Sequence, residues 1–316
     1  MRALIVTNMY PSPARPALGT FVRDQVRALQ RRTDVEIEVF AFAPGGPAAY
    51  PKAAAALRQR YRHARFDVVH AHFGLTAWPA LAAPGRVHAV TLHGMDLIHP
   101  RSRPITLAAL RFLDLVAVVS DEFRAKVPRW ATRQPPAVLP CGVDIDRFHP
   151  IPRHEARVAL GLDPDGPYLL FPHDPARPVK RHDLALKAAG DVPLLTLGRT
   201  DPSEVPLWVN AANAVLLPSE WESFGTAVLE ALACNVPVLA TPTGIAPVAL
   251  NGLAGTYCGP FDLDAWRAAL APHLSAADPR VEGRAHAEPY SSDRMAAEVV
   301  SAWRAAHHAQ DAKAAM

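Results

Sequence analysis

The sequence predicts an α/β protein of two parallel-sheet domains facing each other across a cleft. Three observations lead there. The 316 residues exceed the length at which one core usually stops growing, so two domains are the natural expectation. Short β-branched runs alternate with longer helical stretches, the pattern of right-handed βαβ units. These runs fall into two series, and a proline-rich stretch separates them.

The first series is Ala3–Thr7, Val35–Phe42, Asp67–His70, Val87–Thr91, Leu115–Val119 and Ala137–Leu139. The second is Tyr168–Phe171, Leu194–Leu197, Ala214–Leu217, Val236–Ala240 and Ala254–Tyr257. Between Phe148 and Pro167, four prolines (Pro150, Pro152, Pro164 and Pro167) bracket one helical stretch, Arg153–Leu160. Proline cannot continue a regular element, so the join belongs here. The expected domains are residues 1–163 and 164–290, with a last helix over about 291–312 packing back on the first domain.

An apolar fraction of 50% and a charged fraction of 20% describe an ordinary globular composition. Cys141, Cys234 and Cys258 are an odd number at wide spacings, which argues against a disulfide scaffold and for a reducing cytoplasm. The run Met1–Thr7 reads as a first strand and lacks the features of a signal peptide. No stretch reaches the ~18 uninterrupted apolar residues of a membrane-spanning helix. The net charge of +3 divides into +9 for residues 1–163 and −6 for residues 164–316. Part of that excess sits in Arg58, Arg60, Arg62 and Arg65, which form a solvated helix face or a contact with an anionic membrane. No nucleic-acid partner is expected.

In open parallel sheets ligands bind beyond the carboxyl ends of the strands. The residues there are polar or glycine-containing. Gly19 opens an amphipathic helix, where backbone N–H groups can approach an anion. His70-Ala71-His72-Phe73-Gly74 and His93-Gly94-Met95-Asp96 follow the third and fourth strands. Two histidines at i, i+2 share a strand face, so a metal site is conceivable, against the commoner reading of backbone hydrogen bonding.

The most specific segment runs from Pro218 to Val238: Glu222 on a loop, then a helix beginning near Phe224 or Gly225, with Glu230 inside it. Free N–H groups and the positive end of the helix dipole suit a diphosphate, and two carboxylates suit the hydroxyls of a polyol at each end. This segment resembles the glutamate-seven-residues-glutamate motif of family 4 retaining glycosyltransferases, whose GT-B fold pairs two Rossmann-like domains. Asp67–His72, Thr91–Asp96, Leu139–Asp144, Gly255–Pro260 and Tyr290–Arg294 resemble further segments of that family, in the same order along nearly the whole chain.

The resemblance implies a donor-binding set of Gly19, Phe224, Gly225, Thr226, Glu230 and Gly198, with Glu230 on the ribose and Gly19 near the diphosphate. It implies a catalytic set of Glu222 and His93 at the transferred sugar, with Lys180 and Arg177 neutralising the leaving diphosphate. No cofactor or metal is then required, because fixed cations and a helix terminus stabilise the same developing charge. The family's arginine–lysine spacing is about two residues longer, which leaves Arg181 as an alternative to Arg177. The segment Asp201–Asn213 is shorter than its counterpart, and that segment normally contributes to base recognition.

The implied partners are a nucleotide sugar and a glycan or lipid-linked acceptor, in cell-surface polysaccharide or glycolipid synthesis. A nucleotide-sugar 2-epimerase of the same fold and a catalytically silent homologue are the rival readings. Asp144-Ile145-Asp146 matches the metal-binding Asp-x-Asp of a different transferase fold. Asp163–Asp165 and Asp262–Asp264 match it equally, so the pattern discriminates nothing.

Overall fold

The computed structural model describes residues 1–198, 200–276, 278 and 280–314. It contains two compact units: Met1–Gly142 with Ser292–Met316, and Val143–Ser291. The β-branched runs form strands in both. In the first unit they are β1 (Arg2–Thr7), β2 (Glu36–Ala41), β3 (Phe66–His72), β4 (Gly85–Leu92), β5 (Leu115–Val118) and β6 (Ala137–Val138). In the second they are β7 (Leu169–Phe171), β8 (Leu194–Thr196), β9 (Ala214–Leu217), β10 (Val238–Ala240) and β11 (Tyr257–Cys258). The last begins at the end of the expected run Ala254–Tyr257.

All pairings within both sheets are parallel. The strand orders are β2-β1-β3-β4-β5-β6 and β11-β10-β9-β7-β8. Each order reverses direction once, between β1 and β3 and between β7 and β9. Successive crossovers leave in opposite directions at such a point, so their loops part and open a crevice at the carboxyl ends.

The first unit's core lies where the helix Thr20–Gln30 and the last helix, Ser292–Ala314, pack on one side of the sheet. Trp303 is fully buried there, and its indole Nε1–H donates to His70 Nδ1 at 2.7 Å. That donation makes Nδ1 an acceptor, so Nε2 carries the proton and donates to Thr91 Oγ1 at 2.8 Å. Both ring nitrogens of His70 are thereby engaged in hydrogen bonds, as in the backbone-and-side-chain bonding alternative to a metal site. Met295 and Val299 complete the contact.

The segment 143–163, which sequence alone attaches to the first domain, is part of the second unit. The reason is buried charge. Arg153 and Arg157 on the helix Arg153–Ala159 are buried and need carbonyl partners. Arg153 Nε donates to Ala212 O at 3.2 Å, Arg157 Nε to Ala211 O at 3.0 Å and Arg157 Nη2 to Asn213 Oδ1 at 2.8 Å. Asn210 accepts from Ile151 N at 2.9 Å. The short segment Asp201–Asn213 therefore supplies the acceptors that hold the linker. Counted over these units, the charge asymmetry sharpens to +10 and −7.

Trp303→Phe keeps an aromatic ring but removes the donor and some core volume, and it leaves a buried lone pair on His70. It is expected to destabilise the protein by about 1–3 kcal/mol in urea denaturation, against about 3–5 kcal/mol for Trp303→Ala. Equal stability of Trp303→Phe and the parent would show that this bond contributes nothing.

Candidate functional site

In the second unit the reversal of strand order falls between β7 and β9, and the loops beyond these two strands are bound to each other. The β7 loop carries His173, Arg177 and the 3-10 turn Pro178–Lys180. The β9 loop carries Ser219, Glu220 and Glu222. Glu220 N donates to Val179 O at 2.9 Å, which fixes the loops edge to edge. Lys180 Nζ then reaches Glu222 Oε1 at 2.5 Å, with the side chains only 5% and 13% exposed. Ser219 Oγ donates to the same carboxylate oxygen at 2.8 Å, and His173 Nε2 stands 3.7 Å from it.

Burial lowers the Lys180 pKa, and the Glu222 carboxylate opposes that shift. His173 is held well below its ordinary value, first by burial and then by the cations Lys180 and Arg177. It is neutral at physiological pH, and its buried Nε2 has no hydrogen-bond partner among the described residues. The site is thus a carboxylate and an ammonium in contact, in a place water barely reaches.

The helix after Glu222 spans Thr226–Ala233, and Gly225 caps it at φ 85°, a left-handed conformation that glycine adopts without steric cost. No side chain caps this end. The N–H groups of Thr226 and Ala227 lie in the first turn, where the helix provides no acceptor. Glu230 is half-buried, on the same helix face as Thr226 four residues earlier. From β10 comes Thr241, whose Oγ1 donates to Ser219 O at 2.5 Å. Gly244 follows at φ 56°, and a Cβ there would stand 2.4 Å from Phe224 O. Only glycine lets this loop reach the Glu222–Gly225 turn, where Ile245 N donates to Phe224 O at 2.7 Å. A small pocket lined by Glu222, Gly225, Val228, Thr241, Thr243 and Ala246 lies among these loops.

Arg177 and Arg181 differ in what they already hold. Arg181 pairs with Asp183 through two bonds at 2.9 and 2.8 Å and with Glu220 at 2.8 Å. Arg177 is exposed, with no side-chain hydrogen bond or ion pair among the described residues. Of the two, only Arg181 is engaged by neighbouring carboxylates among the described residues. Gly198 lies beside Asp174, where an added Cβ would be 3.3 Å from the Asp174 Cα.

His93 and Gly19 belong to the first unit. Gly19 takes φ 67° at the start of the helix Thr20–Gln30, and a Cβ would stand 2.1 Å from Met9 O. Its backbone thus closely approaches Met9. Two residues on, the Phe21 ring centroid is 4.9 Å from His93, and Phe73 is 4.7 Å from it on another side. Phe73 takes φ 73°, a costly conformation for a residue with a bulky side chain. These groups lie beyond β1, β3 and β4, around the first unit's own reversal of strand order. His72 Nδ1 and His93 Nε2 are hydrogen-bonded at 2.9 Å. Asp96 accepts from His93 N at 2.7 Å and from Gly74 N at 2.8 Å.

Residues 14–147 match the family described as Glycosyltransferase Family 4, and residues 179–282 match Glycosyl transferases group 1. A D-inositol 3-phosphate glycosyltransferase of Geodermatophilus obscurus is 30% identical over 80% of this chain and 70% of its own length. The chain belongs to the group 1, family 4 glycosyltransferases. The Mycobacterium avium D-inositol 3-phosphate glycosyltransferase is 29% identical over 80% of this chain and 73% of its own.

Among solved structures, sucrose-phosphate synthase of Thermosynechococcus elongatus aligns with a TM-score of 0.75 over 98% of this chain and 99% of its own, at 18% identity. Anabaena HepE in complex with UDP and glucose aligns with a TM-score of 0.71 over 96% of this chain and 100% of its own, at 15% identity. Two parallel-sheet α/β units with these likenesses make the fold GT-B. The family makes this glycosyltransferase an enzyme of transfer, and the epimerase and silent-homologue readings give way to it.

Sequence reasoning singled out Lys180 and Glu222, which the structure brings into contact, and did not single out Ser219, His173, Thr241 or Gly244 beside them. His173 and Thr241 do follow strands, so the carboxyl-edge rule applied to β7 and β10 would have drawn attention to them. The Ser219 and Gly244 roles depend on which loops touch.

The buried histidines of the first unit generate a pH dependence. Burial lowers His70 and His93 to about 3 and His72 well below its ordinary value. In the unfolded chain each titrates near 6.5, so at lower pH the unfolded state binds more protons. Stability is then full above pH ~6.5 and falls towards pH ~3, by up to about 1.4 kcal/mol per pH unit for each histidine. Asp96, raised by burial, acts in the opposite sense but only near the acid end of this window. Urea midpoints should drop steeply from pH 7 to pH 5, and a flat profile would contradict these burials.

Proposed function

We propose that the enzyme transfers a sugar, with retention of anomeric configuration, from a nucleoside-diphosphate sugar to a hydroxyl acceptor in cell-surface polysaccharide or glycolipid synthesis. The observation that carries this reading is the Lys180–Glu222 pair at the uncapped start of the helix Thr226–Ala233. A carboxylate for sugar hydroxyls, an ammonium for phosphate oxygens and open backbone N–H groups there fit one ligand, a sugar joined to a diphosphate. The HepE structures with UDP and with UDP-glucose support the same ligand class.

In this reading Arg177 and Lys180 take up charge as the bond from the anomeric carbon to the diphosphate oxygen breaks. Glu222 holds the departing sugar, Glu230 the ribose, Gly198 belongs to the donor site, and Phe224, Gly225 and Thr226 offer backbone contacts. His93 lines the sugar site, neutral because of its burial, and Gly19 approaches the diphosphate. Lys180 is shared between Glu222 and the diphosphate, and a second anion beside it offsets the burial that lowers its pKa. The relatives, D-inositol 3-phosphate glycosyltransferases, favour a second acceptor class, a small phosphorylated polyol. The first unit's charge of +10 fits it.

The two glutamates should fail differently. Glu222→Gln should lower kcat by more than ~10²-fold, the scale of one lost transition-state contact, while nucleoside diphosphate affinity stays within a few-fold. Glu230→Ala should chiefly raise KM for the donor. Full activity in Glu222→Gln, or an inverted product by NMR, would overturn the assignment.

No metal is required in this reading, so transfer should survive EDTA. Loss of activity that Mg²⁺ or Mn²⁺ restores would transfer the role of Arg177 and Lys180 to a cation.

A further inference from the structure

Nine large apolar side chains are conspicuously exposed among the described residues, and the six in the first unit (Trp78, Met95, Ile98, Ile105, Phe112 and Trp130) lie on elements that pack together. Their centre is the helix Arg103–Leu110. One side of it buries Thr106, Leu107, Ala109 and Leu110, while Ile105 is 50% exposed and Phe112, just past its end, 54%. The Trp78 ring centroid lies 5.8 Å from Phe112, and its Nε1–H donates to Ile105 O at 3.1 Å. The indole thus stands outside the core with its one donor satisfied. Met95 and Ile98 belong to the turn Met95–Ile98, which packs on this helix.

The exposed charge along this helix has one sign, the flanking Asp96 and Asp114 being largely buried. Residues 97–113 contain Arg101, Arg103 and Arg111 and no aspartate or glutamate. An apolar stripe with aromatic residues, edged by arginines alone, has the chemistry of an element lying in a bilayer interface. The stems of the arginines cover apolar surface while their heads meet phosphate. A second copy of this face is disfavoured, because a two-fold contact would set arginines against arginines. The Arg58–Arg65 cluster has four exposed arginines but contributes none of the exposed large apolar side chains.

We propose that the helix Arg103–Leu110, with Trp78, Ile98 and Phe112, docks the protein on an anionic lipid surface by shallow apolar insertion flanked by arginines. Insertion distinguishes this surface from a purely electrostatic contact, since salt screens exposed charges but leaves buried apolar area in place. The inference is independent of the sugar-transfer reading, because none of these residues belongs to the proposed donor site.

The full chain is sedimented with vesicles of phosphatidylcholine and phosphatidylglycerol, and with phosphatidylcholine alone, across a salt series. Binding to the anionic vesicles should weaken with salt yet persist at high salt, and brominated lipid should quench tryptophan emission. Ile105→Ser with Phe112→Ser should lower the partition coefficient at least ~10-fold, the scale of two half-inserted apolar side chains, with an unchanged melting temperature. Arg101→Gln and Arg111→Gln should each cost roughly fivefold at low salt, and Trp78→Phe with Trp130→Phe should remove most of the quenching.

Wild-type binding by the Ile105/Phe112 variant would overturn the proposal. So would equal binding to the neutral vesicles, or loss of all binding on replacing Arg58, Arg60, Arg62 and Arg65 alone. A dimer that the Ile105/Phe112 variant abolishes, with no vesicle binding by the parent, would assign the face to a second copy and also overturn it.

Discussion

Glu222 accepts hydrogen bonds from Lys180 and Ser219 on one oxygen, and much of the second unit's site is arranged around that oxygen. An ion pair this buried is costly to assemble, because both charges leave water. It is held by what surrounds it: a backbone bond between the β7 and β9 loops, a threonine from β10 on the Ser219 carbonyl, and a glycine that lets the β10 loop close in. Three strands thereby contribute to one small volume. The pair straddles the point where strand order reverses, which is where the sheet leaves a crevice without strain.

The first unit follows the same logic with different chemistry. Its reversal of strand order brings together the ends of β1 and β3, and β4 lies beside them. What gathers there is aromatic and neutral: Phe21, Phe73, His72 and His93. Behind this layer the last helix returns to the sheet, and the Trp303 indole fixes the His70 tautomer. Buried imidazoles stay neutral because the medium around them stabilises no added charge. The two units thus carry complementary kinds of surface on one architecture, a charged pair in one and a neutral aromatic layer in the other.

Charge is also distributed by unit, +10 against −7, and this division is sharper than a cut at residue 163 suggests. The linker Val143–Asp163 decides the difference. Arg153 and Arg157 are long and cationic, the residues a sequence reading assigns to a surface. They are buried because the ends of the Val205–Ala211 helix and the Asn213 side chain present carbonyls at the right spacing.

The alternation of β-branched runs and helices determined by itself that there are two parallel sheets, because parallel strands need long crossovers and leave that period in the chain. Ten of the eleven strands were legible on this ground, and the expected run for the last meets its strand only at Tyr257. The pair of glutamates eight residues apart and the glycine before the helix were legible too, since a loop-to-helix junction is written locally. What tertiary structure alone decided is which loops meet. Ser219 and His173 face one carboxylate, Thr241 holds the Ser219 carbonyl and Gly244 lets its loop meet the Glu222–Gly225 turn, from three strands in all, and no spacing along the chain records that convergence. The same holds for Arg177 against Arg181: the sequence offers two cations, and only the positions of Asp183 and Glu220 show that Arg181 is already bound. Local propensity and periodicity act over a few residues, whereas hydrogen bonding across a crevice acts between residues up to 42 positions apart, as for Lys180 and Glu222.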